Sequence, residues 1–186
     1  IVTGVLPVAL GDATRIVQAF LDSGKEYVCL MLLHDETSDD DLRRVLSEFT
    51  GEIYQKPPLR ASVKRESRKR TIYYIELLER DGNRVLFKVG CQAGTYIRKL
   101  CSDIGEVLGV GAHMQELRRT RSGPFTDSTG LNTLHEVVDA RARFTEGDET
   151  AIRTIVRPVE EALEYIPKIH IRDSAVDAIC HGASLA

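Results

Sequence analysis

Apolar and polar positions along the chain switch between two periods, and the switches mark out alternating helices and strands. Residues 12–23 carry Ala13, Ile16, Val17 and Phe20 at helical spacing, with Asp12 placed to cap the start and Gly24 to stop it. Lys25–Leu33 changes to a two-residue period. Tyr27, Cys29, Met31 and Leu33 then fall on one face, and Val28, Leu30 and Leu32 on the other. Apolar residues on both faces predict a central, covered strand. A second helix is expected over 38–49, capped by Ser38, with Leu42, Val45, Leu46 and Phe49 inward and Gly51 at its end. Asp39, Asp40 and Asp41 complement the positive end of its dipole, so the acidic cluster reads as a helix-start device.

Pro57 and Pro58 forbid a central strand, and 55–70 is expected as a loop or irregular ribbon. Ile72–Glu79 and Val85–Gly90 pair as a hairpin across Asp81-Gly82-Asn83. Thr95–Leu108 is the next helix, with Ile97, Leu100, Cys101, Ile104 and Leu108 inward. A strand-like segment follows Gly109–Gly111 and ends in a loop at Ser122-Gly123-Pro124. Helices at about 133–143 and 158–165, a solvent-facing linker at 144–150 and an extended Lys168–Arg172 complete the chain. The order predicts an α+β domain with antiparallel pairing.

The 186 residues suit one domain, and 42% hydrophobic with 28% charged residues is the balance of a globular protein. The formal net charge of -3 gives no global sign of a nucleic-acid partner, so the placement of charge matters more than its sum. No apolar run approaches the length of a membrane span. Cys29, Cys91, Cys101 and Cys180 show no C-x-x-C spacing and the histidines are dispersed. Reduced, buried thiols are expected, with neither metal nor cofactor. The chain opens at Ile1 on what reads as interior structure, and it closes at 181–186 within a helix-to-turn connection. A segment of a longer protein is expected.

Three features exceed what a generic fold requires. The stretch Arg60–Arg70 holds six basic residues against the single acid Glu66. Such a cluster is either a solvated loop or a phosphate-neutralising surface, and a second basic run at Arg118, Arg119 and Arg121 favours the latter. Gly94-Thr95-Tyr96-Ile97-Arg98 opens a helix with an arginine at the wrong end of the dipole. That placement suits an arginine holding a carboxylate or a phosphate, a plain surface arginine being the alternative. Tyr27, on a covered strand, is either a core residue or a flat ring against which a flipped base can stack. His113, beside the arginines, is the one histidine placed to meet RNA.

Five ordered blocks carry a family resemblance: Val2–Leu10 (VTGVLPVAL), Lys25–Val28 (KEYV), Lys56–Leu59 (KPPL), Ala93–Arg98 (AGTYIR) and Gly111–Gly123 (GAHMQELRRTRSG). Together they resemble the TruB and dyskerin family of RNA pseudouridine synthases along essentially the whole chain. Asp173–Val176 and Cys180–Ala183 resemble the entry to the family's C-terminal PUA domain. The resemblance implies a catalytic domain over 1–166 and the start of a PUA domain at 167–186. Its fold would be a mixed, largely antiparallel central sheet flanked by helices. The basic loop and the TRSGPF stretch resemble the guide-RNA-dependent, dyskerin-like branch, and VLPV resembles archaeal members.

That resemblance implies isomerisation of uridine to pseudouridine in rRNA or tRNA within a box H/ACA particle. The partners would be guide and substrate RNA, a small zinc-ribbon protein, a Gar-type protein and a kink-turn-binding protein. The setting would be the archaeal cytoplasm, or the nucleolus in a eukaryote. Tyr27 matches the tyrosine that stacks on the target base and is the candidate general base at C5. Tyr96 matches the second active-site tyrosine, Arg98 the arginine paired to the nucleophilic aspartate, and Leu117 the apolar residue closing the pocket. Lys64, Arg65, Arg68, Lys69, Arg70, His113, Arg118, Arg119 and Arg121 are the expected RNA contacts. The family's nucleophilic aspartate, in G-T-L-D-P, falls upstream of Ile1, so this segment alone is expected to be inactive. A non-catalytic RNA-binding module, or a scaffold for partner proteins, is the competing expectation.

Overall fold

The computed structural model describes residues 2–57, 66–128 and 130–184. Its centre is β2 (Lys25–Leu33), flanked on both sides as its two apolar faces demand. One neighbour is β5 (Arg84–Cys91) and the other is β6 (Ala112–Ser122), both antiparallel to it. Among the described residues the sheet has seven strands. Its order is β1 (Val2–Gly4), β6, β2, β5, β4 (Arg68–Asp81) and β3 (Gly51–Gln55), and β7 (Phe125–Thr126) pairs with β6 off that path. Only the β1–β6 pairing is parallel among the described residues. The result is the mixed, largely antiparallel sheet of an α+β fold.

Two helices cover the face that carries Cys29, Met31 and Leu33. Helix α2 (Asp39–Glu48) starts where Ser38 Oγ accepts the Asp41 N–H at 3.0 Å, and it buries Leu42, Val45 and Leu46. Helix α3 (Ile97–Leu108) buries Ile97, Leu100, Cys101 and Ile104 against the same core. Phe87, Val85 and Val89 of β5 complete that core, all fully buried. The opposite face is covered less completely, and Val28, Leu30 and Leu32 are only half-buried.

Helix α3 lies unusually close to β6 at Gly105, where a Cβ would come 2.1 Å from the Ala112 nitrogen. Backbone cannot yield as a flexible side chain can. Gly105→Ala is therefore expected to cost about 2–3 kcal/mol through forced displacement of α3. A urea denaturation midpoint lower than wild type, with unchanged slope, would be the expected record.

Several expectations are corrected. Asp12 does not cap a helix. A 3-10 turn spans Gly11–Ile16 after Leu10, and only Val17–Leu21 (α1) is α-helical, with no side-chain cap on either piece. Gly51 does not close α2 but opens β3, at φ +109°. Residues 55–70 are not all loop, because β3 runs to Gln55 and β4 begins at Arg68. Tyr96 is the residue before α3 rather than its first turn. The stretch 144–150 is partly helical, between α4 (Leu134–Thr145) and α5 (Thr150–Ile155). The later helix is a 3-10 segment, Val159–Leu163. Lys168–Arg172 joins no strand, and α6 (Asp173–Cys180) follows it. Helix α4 starts on a full capping box between Thr133 and Glu136, which fixes its start independently of packing.

Candidate active site at the start of helix α3

The run of β5 and α3 decides where the site residues meet. Cys91, the last residue of β5, pairs with Lys25 at the start of β2. Six residues later, at Ile97, the chain enters α3. At the far end of α3, Gly111 N–H donates to Gly105 O at 2.8 Å, and Gly111 O accepts the His34 N–H at 3.0 Å, just beyond β2. Helix α3 therefore runs in the direction of β2, with Tyr96 and Arg98 at the Tyr27 end. Between them Cys101 Sγ lies 3.6 Å from Cys29 Sγ, which fixes the helix over the strand one turn past Arg98. Leu117 pairs with Cys29 and Arg119 with Tyr27, all on this covered face.

The start of α3 is held by a residue that local sequence gives no reason to notice. Gln55, 2% exposed, accepts the Tyr96 N–H at 2.9 Å and donates to Tyr96 O at 3.2 Å. Its amide thus takes both backbone groups of the residue before the helix, satisfying donors and acceptors that would otherwise be stranded. Gln92 anchors the same turn to β4: its side chain accepts the Thr71 N–H at 3.2 Å and its N–H donates to Thr71 O at 2.8 Å. Arg70 packs beneath Gly94, where a Cβ would come 3.2 Å from its Nη2. The Arg70 Nε is buried and has no hydrogen-bond partner among the described residues.

Tyr27 is half-buried, and burial pushes its hydroxyl up, with Cys91 adding to the rise and the Arg119 guanidinium opposing it. Cys91 is pushed up to about 11, chiefly by burial, so it is a poor nucleophile at neutral pH. Lys25 is lowered by burial and then by Arg119. Its ammonium is fixed on Ser23 O at 2.8 Å and lies over the Phe20 ring at 5.0 Å. Arg98 is exposed, and its guanidinium joins no ion pair among the described residues. Its neighbour Lys99 is already engaged by Asp103. Arg98 can therefore receive a carboxylate or phosphate at the start of α3.

On the opposite face, Glu26 accepts hydrogen bonds from Tyr74 and from Thr120 Oγ1, the latter at 2.7 Å. Thr120 is the extra residue of a bulge: Glu26 pairs with Arg121 while Tyr27 pairs with Arg119. Burial works to raise the Glu26 carboxyl, but those two hydrogen bonds, aided by Arg121 and Lys88, hold it below its ordinary value. A depressed folded-state value contributes stability that is present above the unfolded value, about 4.3, and lost as pH falls through the folded one. Glu26→Gln is expected to lower stability at neutral pH and to flatten the loss on acidification between about pH 5 and 3. Urea titrations across that range read both.

The remaining sequence-predicted residues are distributed by strand parity. Arg118 and Arg121 pair with Val28 and Glu26 on the face away from Tyr27. Arg118 is bonded there to Asp127 at 3.3 Å. His113 lies opposite Leu32, at the far end of β2, and shares a 2.8 Å hydrogen bond with His34. It is not brought to the Tyr27 end. Arg68 and Arg70 point to the covered face with Gln55 and Ile53, while Lys69 turns away and pairs with Glu52 at 2.6 Å. Lys64 and Arg65 lie outside the described residues. Gln55 and Thr120 are additions to the candidate residues, and Lys25 and Glu26, within the KEYV block, gain their roles only from the structure. Among the described residues no group of three or more His, Cys, Asp or Glu is placed to hold a metal ion. No helix there is long and apolar enough to cross a membrane.

Comparison with known proteins gives one consistent result. The family model for the N-terminal domain of TruB family pseudouridylate synthases matches residues 1–97. That for the C-terminal domain of tRNA pseudouridylate synthase B matches residues 98–164. A probable tRNA pseudouridine synthase B from Methanopyrus kandleri is 61% identical over 186 residues, which is 100% of this chain and 55% of that protein. Its counterpart from Pyrococcus abyssi is 59% identical over 185 residues, 99% of this chain and 55% of that protein. Among solved structures, a Cbf5-Nop10-Gar1 complex matches with a TM-score of 0.90 and 56% identity, over 99% of this chain and 56% of that one. An H/ACA RNP bound to a substrate RNA containing 2'-deoxyuridine matches with a TM-score of 0.86 and 54% identity, over 99% and 55%. The chain spans just over half the length of the curated relatives it matches.

Proposed function

Because this chain belongs to the TruB family of pseudouridylate synthases, we propose that the full-length protein isomerises uridine to pseudouridine in RNA. The observation that carries this reading is the meeting of Tyr27, Tyr96 and Arg98 at one end of the sheet, with the Arg98 guanidinium unclaimed by any described carboxylate. In the reaction, a carboxylate oriented by Arg98 attacks the flipped uridine. The glycosidic bond breaks, the base turns, and C5 bonds to the ribose. The C5 proton then leaves to a base, for which Tyr27 is the candidate. Atoms balance within the nucleotide, since the carboxylate is released and the N1 position ends protonated. Tyr27 stacks on the base, Tyr96 lines the cleft, and Leu117, 9% exposed, closes its floor.

Guide-directed action within an H/ACA-type particle is supported by the likeness to Cbf5 structures with Nop10, Gar1 and substrate RNA. The names of the curated relatives favour tRNA as a substrate. We propose the guide-dependent role, with rRNA as substrate and tRNA as an accepted second one. Partners are a zinc-ribbon protein, a Gar-type protein and a kink-turn-binding protein. The catalytic unit is taken to end near residue 166 and a PUA domain to begin after it; the matched family models stop at 164.

The test is tritium release from RNA carrying 5-tritiated uridine, using the full-length protein with and without guide RNA and partner proteins. Release that requires the guide supports the whole reading. Release from bare tRNA alone supports the synthase but removes the guide. Binding without release leaves an RNA-binding module of the same fold.

A further inference from the structure

We propose that Arg119 is a positioning residue for Tyr27, a clamp that ties the ring to the first strand of the chain, rather than a contact for RNA phosphate. The inference rests on the proposed synthase reading, in which Tyr27 faces the target base. Arg119 sits in the run Arg118–Arg121, which as sequence is a uniform basic patch. Strand alternation and the bulge at Thr120 separate its members, and among these arginines only Arg119 pairs with Tyr27.

Its guanidinium is already committed. Arg119 Nε donates to Val5 O at 2.6 Å, while Val5 N–H donates back to Arg119 O at 2.9 Å. Strand β1 approaches so closely that a Cβ on Gly4 would lie 2.1 Å from Arg119 O, and Gly4 adopts φ +97°. Only glycine accepts both conditions without cost. Arg119 is thus hydrogen-bonded by backbone and side chain to the segment directly before Leu6, with its charge left beside the Tyr27 hydroxyl, where it offsets part of the rise caused by burial. A phosphate contact would need that guanidinium free to turn outward, but Arg119 is half-buried.

The bulge explains why Arg119 acts without its neighbour. Arg119 continues the register of Leu117 opposite Cys29, whereas the extra residue moves Arg121 off the covered face to stand opposite Glu26. Thr120 occupies that extra position and is held by Glu26 from the other side. The separation of Arg121 from Arg119 is therefore held by a polar contact on the far face of the sheet.

The experiment uses full-length protein with 13Cζ-labelled tyrosine, Tyr27 assigned by Tyr27→Phe, and the variants Arg119→Gln and Arg119→Lys. The Tyr27 titration should move upward by about one pH unit in Arg119→Gln and by less in Arg119→Lys, which keeps the charge. kcat should fall about 10-fold in Arg119→Gln with partial recovery in Arg119→Lys, while the salt slope of RNA binding stays unchanged. A Tyr27 titration that does not move overturns the proposal. So does an unchanged kcat with a salt slope reduced by about 0.7, the mark of a lost phosphate contact. If the titration moves but wild-type protein releases no tritium, the synthase reading fails while the Arg119–Tyr27 coupling stands. Arg119→Lys keeps the test open should Arg119→Gln fail to fold.

Discussion

Arg98→Ala in the full-length protein is expected to lower kcat about 10³-fold while leaving the dissociation constant for RNA within about threefold. The asymmetry follows from where the side chain sits. Arg98 is in the first turn of α3, exposed and without an ion pair among the described residues, so folding does not depend on it. A guanidinium there gives two parallel hydrogen bonds to one carboxylate, which fixes the attacking oxygen as well as its charge. Arg98→Lys keeps the charge but not the fork and should recover only a small part of the rate. Single-turnover tritium release with RNA in excess of its dissociation constant separates the two effects. Equal losses in binding and in kcat/KM, with kcat intact, would assign Arg98 to a phosphate.

Neutralising Lys64, Arg65, Arg68, Lys69 and Arg70 together to glutamine is expected to weaken RNA binding about 10²-fold near physiological salt. The slope of log affinity against log salt should fall by about 0.7–0.9 for each phosphate contact removed, roughly 2 to 2.5 in all. Fewer than five contacts are expected, because Lys69 is already paired with Glu52 and Arg70 lies beneath Gly94. Arg70→Gln alone should therefore do more to turnover than to the salt slope, since its contact is with the turn that leads into α3. Filter binding at four salt concentrations reads the slope. An unchanged slope in the fivefold variant would remove this stretch from the RNA surface.

The elements that carried a clean period were legible from the residues alone. β2 is central because both its faces are apolar, α2 begins at Ser38, and the β4–β5 hairpin turns at Gly82 and Asn83. β3 was hidden because Gly51–Gln55 is short, half polar and followed by prolines, although Gln55 turns out to be one of the most deeply buried polar residues. The clamp from Gln55 to Tyr96 spans 41 positions, and no local pattern announces a contact of that range. Bulges are equally silent in the pattern. A strict two-residue period through Leu117–Arg121 puts Arg119 and Arg121 on one face, whereas the extra residue at Thr120 separates them. The family resemblance named Tyr27, Tyr96, Arg98 and Leu117. Which elements bring them together came only from the direction of α3 along β2.

The strand order has a consequence for descent. The two family models meet between residues 97 and 98, yet β6, from the second portion, lies between β1 and β2 of the first. The seam also falls one residue inside α3, whose leading residue is held by Gln55 from the first portion. Neither portion can close its own sheet, and each alone would present unpaired strand edges to solvent. Duplication, exchange or loss of one portion without the other would leave β1 and β2 without the strand that joins them. The boundary is therefore a line drawn across one sheet.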